Sequence, residues 1–122
     1  KEELLTVYQR KTGALIAAGM KMACAIAQKN ENIAAEYGEN LGILFQLTDD
    51  FIDEYGESGE AGKTLGKDKR ADKLTCIKVF GLEGAEALAD EYAEKCRVSL
   101  KGFEGDASFF TQLVDCVRDR TN

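Results

Sequence analysis

The sequence has no proline and no histidine among its 122 residues. Average usage of about 5% would supply roughly six prolines, so nothing here breaks a helix by removing a backbone donor. Alanine, leucine, glutamate and lysine are abundant, and because all four favour helices the composition predicts an all-α fold. The absence of histidine removes the commonest general base and the commonest ligand of transition metals. Any metal site must therefore be built from oxygen ligands.

A long apolar run and an excess of positive charge are also missing. No run approaches the roughly 18 to 20 residues of a membrane span, so we expect none. Lysine plus arginine number 16 against 22 aspartates plus glutamates, a formal net charge of -6, which argues against a nucleic acid partner. With 44% hydrophobic residues the composition is globular rather than disordered. We expect residues 1–122 to form a single all-α segment.

The four cysteines, at positions 24, 76, 96 and 116, form no C-x-x-C pair and lie mostly among apolar residues. This pattern predicts buried free thiols in a reducing compartment, and hence a cytoplasmic location, or an organelle in a eukaryote. The chain begins at Lys1 without a methionine or a targeting segment, so we expect a processed protein or a portion of a longer one.

Helical spacing of apolar residues predicts about five helices. The first carries a stripe made of Leu4, Tyr8, Leu15, Ile16, Met22, Ala23 and Ile26. From Ala14 to Ala27 it is apolar on nearly every face, which predicts burial on most sides in the interior of something larger than a simple bundle. A second helix begins at Asn30 or Asn32 and ends in a glycine cluster after Tyr55. Its predicted inner stripe consists of Ile33, Tyr37, Leu41, Leu44, Thr48, Phe51 or Ile52, and Tyr55. A loop rich in glycine and lysine and a short apolar turn follow, and then two amphipathic helices over 82–103 and 107–120, with Phe109 among the residues predicted to face inward.

Three carboxylates lie together near the end of the second helix. At about 100° per residue, Asp49 and Asp53 fall on the same side as Gln46, with Asp50 at the outer edge of that group. Like charges at this spacing repel, so a neutralising cation is expected, and oxygen ligands of this kind select Mg²⁺ or Ca²⁺. The alternative is an acidic helix end that is solvated and binds nothing.

Lysines flank this acidic group in the sequence. Lys11 and Thr12 interrupt the apolar stripe of the first helix, and four lysines, including Lys63 and Lys73, occupy the glycine-containing loop. Lysine side chains can bind phosphate as point charges, and glycine lets a backbone approach a ligand closely. Taken together, these residues favour a site for a diphosphate with an apolar tail. Each lysine could instead reach solvent, and the loop could be a solvated connection.

Three segments resemble a known family. KTGAL at 11–15, GILFQLTDDFID at 42–53 and GKTLGKDKRADKLT at 62–75 are similar, in order and spacing, to the C-terminal half of the trans-isoprenyl diphosphate synthases. The resemblance implies an all-α fold in which the chain lines half of a central cavity. It implies that Asp49, Asp50 and Asp53 hold Mg²⁺, and that Lys11, Lys63 and Lys73 bind the allylic diphosphate. Thr12 and Gln46 would line the pocket near the reacting allylic carbon, and with Lys11 they would be the catalytic residues.

The reaction implied by this resemblance joins an allylic diphosphate to isopentenyl diphosphate after Mg²⁺-assisted loss of the allylic diphosphate. The first aspartate-rich motif of the family has no counterpart here, so we expect the chain to be inactive alone and its parent enzyme to be a homodimer. Two alternatives remain open: a non-catalytic subunit of a heteromeric prenyl synthase, and a helical structural module with an acidic end.

Overall fold

The computed structural model describes residues 1–55 and 74–120, which form helices and the connections between them. In chain order the elements are α1 Glu2–Tyr8, a π-helical turn Gln9–Gly13, α2 Ala14–Ile26, α3 Glu31–Tyr55, α4 Cys76–Phe80, α5 Leu82–Leu100 and α6 Ser108–Asp119. The described residues contain no strand, which confirms the predicted all-α fold class. Across the described ranges, no helix is both long enough and apolar enough to span a membrane.

The connection between α2 and α3 is set by local hydrogen bonds. Gln28 has a positive φ of 54°, and the amide of Lys29 donates to the carbonyl of Cys24 at 2.8 Å, closing α2 with a left-handed cap. The Asn30 side chain then accepts from the Asn32 amide at 3.0 Å, which confirms Asn30 as a start signal for α3. The chain therefore reverses within a few residues, and α2 packs against α3.

Helix α3 is the centre of the described structure and contacts α2, α5 and α6. Its predicted inner face is buried as expected: Tyr37 and Leu44 are 0% exposed and Thr48 is 1% exposed. The Tyr37 hydroxyl donates to the carbonyl of Phe110 at 2.8 Å, which fastens α6 to α3. Phe110 is half-buried, whereas the prediction that Phe109 faces inward is wrong, since it is 67% exposed.

The π-helical turn changes which side chains of the first helical segment face the core. Leu4 and Tyr8, before the turn, are 5% exposed, while Leu15 and Ile26, after it, are 77% and 86% exposed. The amide of Ala14 bonds to the carbonyl of Gln9, five residues back, so the turn holds one extra residue and rotates α2 by about 100° relative to α1. The prediction of one continuous stripe from Leu4 to Ile26 is therefore wrong.

The crossing of the π-turn and α2 with α3 is unusually close because the facing residues are small. A Cβ atom placed on Gly42 would lie 2.3 Å from the Cα of Gly13, and one placed on Gly38 would lie 2.7 Å from the Cα of Ala17. Only hydrogen fits at these two positions, so the backbones touch. This contact fixes the distance between the π-turn, which carries Lys11, and the middle of α3.

The cysteines are free thiols, but they are not equally buried. Cys76 and Cys96 are 0% exposed, and burial raises the pKa of the Cys96 thiol to about 12. Cys24 is half-buried and Cys116 is exposed. The predicted burial is thus confirmed for Cys76 and Cys96 and wrong for Cys116, which lies on the solvent side of α6.

Helix α2 presents an apolar face that nothing in the described chain covers. Leu15, Met22 and Ile26 are 77%, 63% and 86% exposed. The predicted burial of this helix inside a larger assembly stays a prediction, since the chain alone leaves these side chains exposed. Such a contiguous apolar surface is typical of a protein interface.

We expect the 122-residue chain to self-associate through this face. Sedimentation velocity over a range of concentrations should show dimers or larger species. Ile26→Glu should shift the distribution towards the monomer, because burying an unpaired charge at the contact is unfavourable. Lys101→Glu, an exposed change at the end of α5, is the control and should leave the distribution unchanged. A monodisperse monomer at every concentration of the unmodified chain would contradict this expectation.

Candidate functional site

The three aspartates near the end of α3 lie in different surroundings. Asp50 is buried, with 2% exposure, whereas the Asp49 side chain is 43% exposed and Asp53 is exposed. Asp49 and Asp53 are four residues apart and so lie on the same side of the helix, while Asp50 is rotated by about 100° from Asp49. Within residues 1–55 and 74–120, no group of three or more acidic or thiol side chains is arranged so that it could hold a metal ion.

Asp50 points into the helical packing. Its Oδ2 atom accepts a hydrogen bond from the Tyr8 hydroxyl and another, of 2.8 Å, from the backbone amide of Cys76. Burial, followed by the hydrogen bond to Asp50, raises the pKa of Tyr8 above its ordinary value. Burial and then the charge of Asp50 raise the pKa of the Cys76 thiol to about 12. The Tyr8 hydroxyl and the Cys76 thiol therefore stay protonated at neutral pH.

Asp49 faces Arg120, at the end of α6. A guanidinium nitrogen of Arg120 lies 2.7 Å from Asp49 Oδ1, and Arg120 also donates to the Thr48 hydroxyl at 3.0 Å and to the Phe45 carbonyl at 2.7 Å. The guanidinium group lies 3.9 Å from the centre of the Phe45 ring. The role of Arg120 is not predictable from the sequence, because Arg120 lies 71 positions from Asp49 and no local pattern connects the two residues.

The π-turn brings Lys11 to α3. The Lys11 ammonium group donates to Gln46 Oε1 at 3.0 Å. Gln46 is 6% exposed and lies one turn before Asp49 and Asp50, while Lys11 itself is exposed to solvent. Thr12, next in the π-turn, is half-buried. The structure thus places the predicted residues Lys11 and Gln46 in direct contact.

The lysines predicted from the glycine-containing loop, Lys63 and Lys73, lie outside the described residues. At this end of α3 the described structure places an exposed ammonium group, two exposed or half-exposed carboxylates on one side of the helix, and the guanidinium group of Arg120. Positive and negative side chains at the same end of a helix are suited to bind an anionic ligand together with a cation.

The donor set can be tested against a divalent cation. Mg²⁺ in proteins is usually bound through one or two carboxylates, with water and phosphate oxygens completing its shell. Asp49 and Asp53 supply two such oxygen ligands on one side of α3. Asp50 fits less well, because turning its carboxylate outward would leave the Tyr8 hydroxyl and the Cys76 amide without this acceptor. Of the three aspartates, Asp49 and Asp53 could therefore offer carboxylate oxygens to Mg²⁺, and Asp49 would do so beside Arg120.

Comparison with known proteins gives consistent matches. The profile of the polyprenyl synthetase family matches residues 1–103. The chain is 36% identical over 108 residues to geranylgeranyl pyrophosphate synthase 4 of Arabidopsis thaliana. The aligned region covers 86% of the chain and 29% of that protein. It is 32% identical over 111 residues to farnesyl diphosphate synthase of Haemophilus influenzae, which covers 87% of the chain and 38% of that protein.

A further relative is named as part of a heteromeric enzyme. The chain is 34% identical over 108 residues to the heterodimeric geranylgeranyl pyrophosphate synthase large subunit 1, chloroplastic, of Arabidopsis thaliana, with 86% of the chain and 29% of that protein covered. In these three comparisons the chain spans between 29% and 38% of the relative's length.

Proposed function

Because the chain belongs to the polyprenyl synthetase family, we propose that it forms the allylic-diphosphate side of a prenyltransferase active site. The observation that carries this proposal is the contact of Lys11 with Gln46, one helical turn from the half-exposed carboxylate of Asp49. A lysine can bind a diphosphate as a point charge, and a nearby carboxylate can share Mg²⁺ with the phosphate oxygens.

In this proposal the chain's own residues bind and orient the substrate. Lys11 binds the diphosphate, together with Lys63 and Lys73, and Gln46 orients the Lys11 ammonium through its hydrogen bond. Thr12 and Gln46 lie beside the reacting allylic carbon. Asp49 and Asp53 would hold Mg²⁺, which when bound supplies positive charge to the departing diphosphate. No protein nucleophile is needed, since the catalysis is electrostatic.

The proposal for the whole enzyme goes further. We propose that it condenses an allylic diphosphate with isopentenyl diphosphate, that it works as a homodimer, and that the 122-residue chain alone is inactive. Residues that bind isopentenyl diphosphate are not assigned to this chain. The free thiols fit a reducing compartment, the cytoplasm or an organelle.

Titration calorimetry of the 122-residue chain with inorganic pyrophosphate, with and without Mg²⁺, tests the binding part of this proposal. We expect saturable heat that requires Mg²⁺. Lys11→Ala should weaken binding about tenfold or more, because a charge-assisted contact worth roughly 1.5 to 3 kcal/mol is lost. The control is Lys21→Ala, another exposed lysine, on α2 and away from Gln46. The absence of heat and of any thermal shift would instead favour the structural module.

A non-catalytic subunit of a heteromeric synthase is the second candidate, because one relative is named as a subunit of a heterodimeric enzyme. Prenyl transfer by the whole protein, measured with radiolabelled isopentenyl diphosphate, separates the two. The proposed enzyme should elongate an allylic diphosphate without a second gene product. A non-catalytic subunit would show transfer only when combined with a partner.

A further inference from the structure

Asp50 lies where three separate segments of the chain meet. Its carboxylate is on α3, the Tyr8 hydroxyl comes from the end of α1, and the Cys76 amide opens α4. These contacts join residues that are 42 and 26 positions apart in the sequence. Asp50 is 2% exposed, so bulk water does not compete with Tyr8 and Cys76 for hydrogen bonds to its carboxylate.

Among the described residues, the contact with Tyr8 is one of two side-chain hydrogen bonds that join the first helical segment to the site end of α3, and a third, from Gln9 to Glu39, lies nearer the start of α3. The other, from Lys11 to Gln46, lies three residues later on that segment and four residues earlier on α3. The segment between Tyr8 and Lys11 is the start of the π-turn, whose wider hydrogen bonds make it less regular than an α-helix. The Tyr8–Asp50 hydrogen bond, immediately before this turn, therefore helps to set where the Lys11 ammonium group is presented, together with the close backbone crossing at Gly13 and Gly42.

We infer that Asp50 is a positioning residue for the proposed diphosphate site, one that holds Tyr8 and the start of α4 and thereby sets the position of Lys11. This inference rests on the proposed function. It differs from the sequence-based prediction that Asp50 is a third metal ligand. Asp49 and Asp53 are exposed enough to receive a cation, whereas Asp50 is 2% exposed and its Oδ2 atom already accepts hydrogen bonds from Tyr8 and Cys76.

Tyr8→Phe separates the two roles, because it keeps the Asp50 carboxylate and removes only the hydroxyl that this carboxylate holds. Calorimetry with Mg²⁺ and inorganic pyrophosphate should show affinity reduced about tenfold, within the range for coupled networks. Asp50→Ala should reduce it as well, and the double variant should be no weaker than Asp50→Ala. If Asp50 acted only as a metal ligand, Tyr8→Phe would leave the affinity for pyrophosphate unchanged. That result would overturn the inference.

Tyr37→Phe is the matched control. It also removes a hydrogen bond from a buried tyrosine hydroxyl, in this case to the carbonyl of Phe110. A general loss of stability would lower pyrophosphate affinity in both tyrosine variants. The inference requires that Tyr37→Phe bind pyrophosphate with an affinity within about twofold of that of the unmodified chain. A change of this size is expected even from a substitution that is independent of the site.

Amide hydrogen exchange at Cys76 gives a second readout that needs no ligand. Exchange should be faster in Asp50→Ala, which loses the acceptor, and unchanged in Asp49→Ala, which alters the neighbouring carboxylate. Equal exchange in Asp50→Ala and the unmodified chain would overturn the inference.

If the unmodified chain binds no pyrophosphate, the proposed function fails, and the exchange experiment still decides whether Asp50 holds α4. If Asp50→Ala does not fold, the pyrophosphate affinity of Tyr8→Phe still tests the inference.

Discussion

Asp49→Ala is expected to lower the turnover of the proposed prenyltransferase by roughly 10²- to 10³-fold, the loss typical of removing one electrostatic contact to a reacting group. Asp49 is the half-exposed carboxylate on the side of α3 that also carries Gln46 and Asp53. In the proposed site it contributes one of two oxygen ligands for Mg²⁺. Removing it weakens the stabilisation of the departing diphosphate, so kcat should fall while the fold persists.

The structural cost of this change should be small. Arg120 loses its bond to Asp49 but keeps its contacts with the Thr48 hydroxyl, the Phe45 carbonyl and the Phe45 ring. Since the Asp49 side chain is 43% exposed, its ion pair with Arg120 contributes no more than about 1 kcal/mol to folding. Far-UV circular dichroism should therefore show unchanged helix content.

Asp115→Ala is a matched control for Asp49→Ala. Asp115 is 51% exposed and lies 2.6 Å from a guanidinium nitrogen of Arg97, so this variant also removes an exposed aspartate from an arginine pair. The pair joins α5 to α6 and is not part of the proposed site. Turnover should remain close to that of the unmodified enzyme. Full activity in Asp49→Ala would contradict the assignment of Asp49 to the metal site.

Gly42→Ala is expected to destabilise the chain by about 2 kcal/mol, within the usual range for overpacking. The added methyl group would lie 2.3 Å from the Cα of Gly13 and 2.9 Å from the carbonyl carbon of Thr12. These are backbone atoms, so no side chain can move aside and the two helical segments must separate. Alanine favours helix over glycine by about 1 kcal/mol, which offsets only part of this cost.

Gly19→Ala tests the same substitution where space is available. A Cβ atom on Gly19 would meet no heavy atom within 4 Å, so this variant should gain up to about 1 kcal/mol from helix propensity. Urea unfolding followed by circular dichroism in the helix band should rank Gly19→Ala at or above the unmodified chain and Gly42→Ala below it. Equal midpoints for Gly42→Ala and the unmodified chain would show that the crossing is looser than the structure describes.

Separation of the two segments in Gly42→Ala should also weaken the proposed site. Gln46 lies one turn beyond Gly42 on α3, and the Lys11 ammonium group reaches Gln46 at 3.0 Å. Moving the backbones apart lengthens this contact. Pyrophosphate affinity measured at a temperature where Gly42→Ala is still folded should therefore fall, whereas Gly19→Ala should bind normally.

The sequence by itself determined the features that depend on near neighbours along the chain. The absence of proline and the helical spacing of apolar residues predict helices, and the buried face of α3 with Tyr37, Leu44 and Thr48 agrees with that spacing. The cap at Asn30 is equally local, since it bonds to a residue two positions away. The order of the three motifs was enough to indicate the family, which the profile match over residues 1–103 confirms.

Only the tertiary structure decided how the site residues are used. Helical spacing gives the direction of a side chain around its own axis but not which surface lies opposite. The sequence therefore places Asp50 at the edge of the acidic group, but it does not show that Tyr8 holds Asp50 and that Arg120 holds Asp49. The extra residue of the π-turn is also invisible to a pattern that assumes one period throughout, yet it turns Leu15 outward and leaves Tyr8 inward. Contacts between distant residues depend on how the helices pack, and that packing is a property of the whole chain.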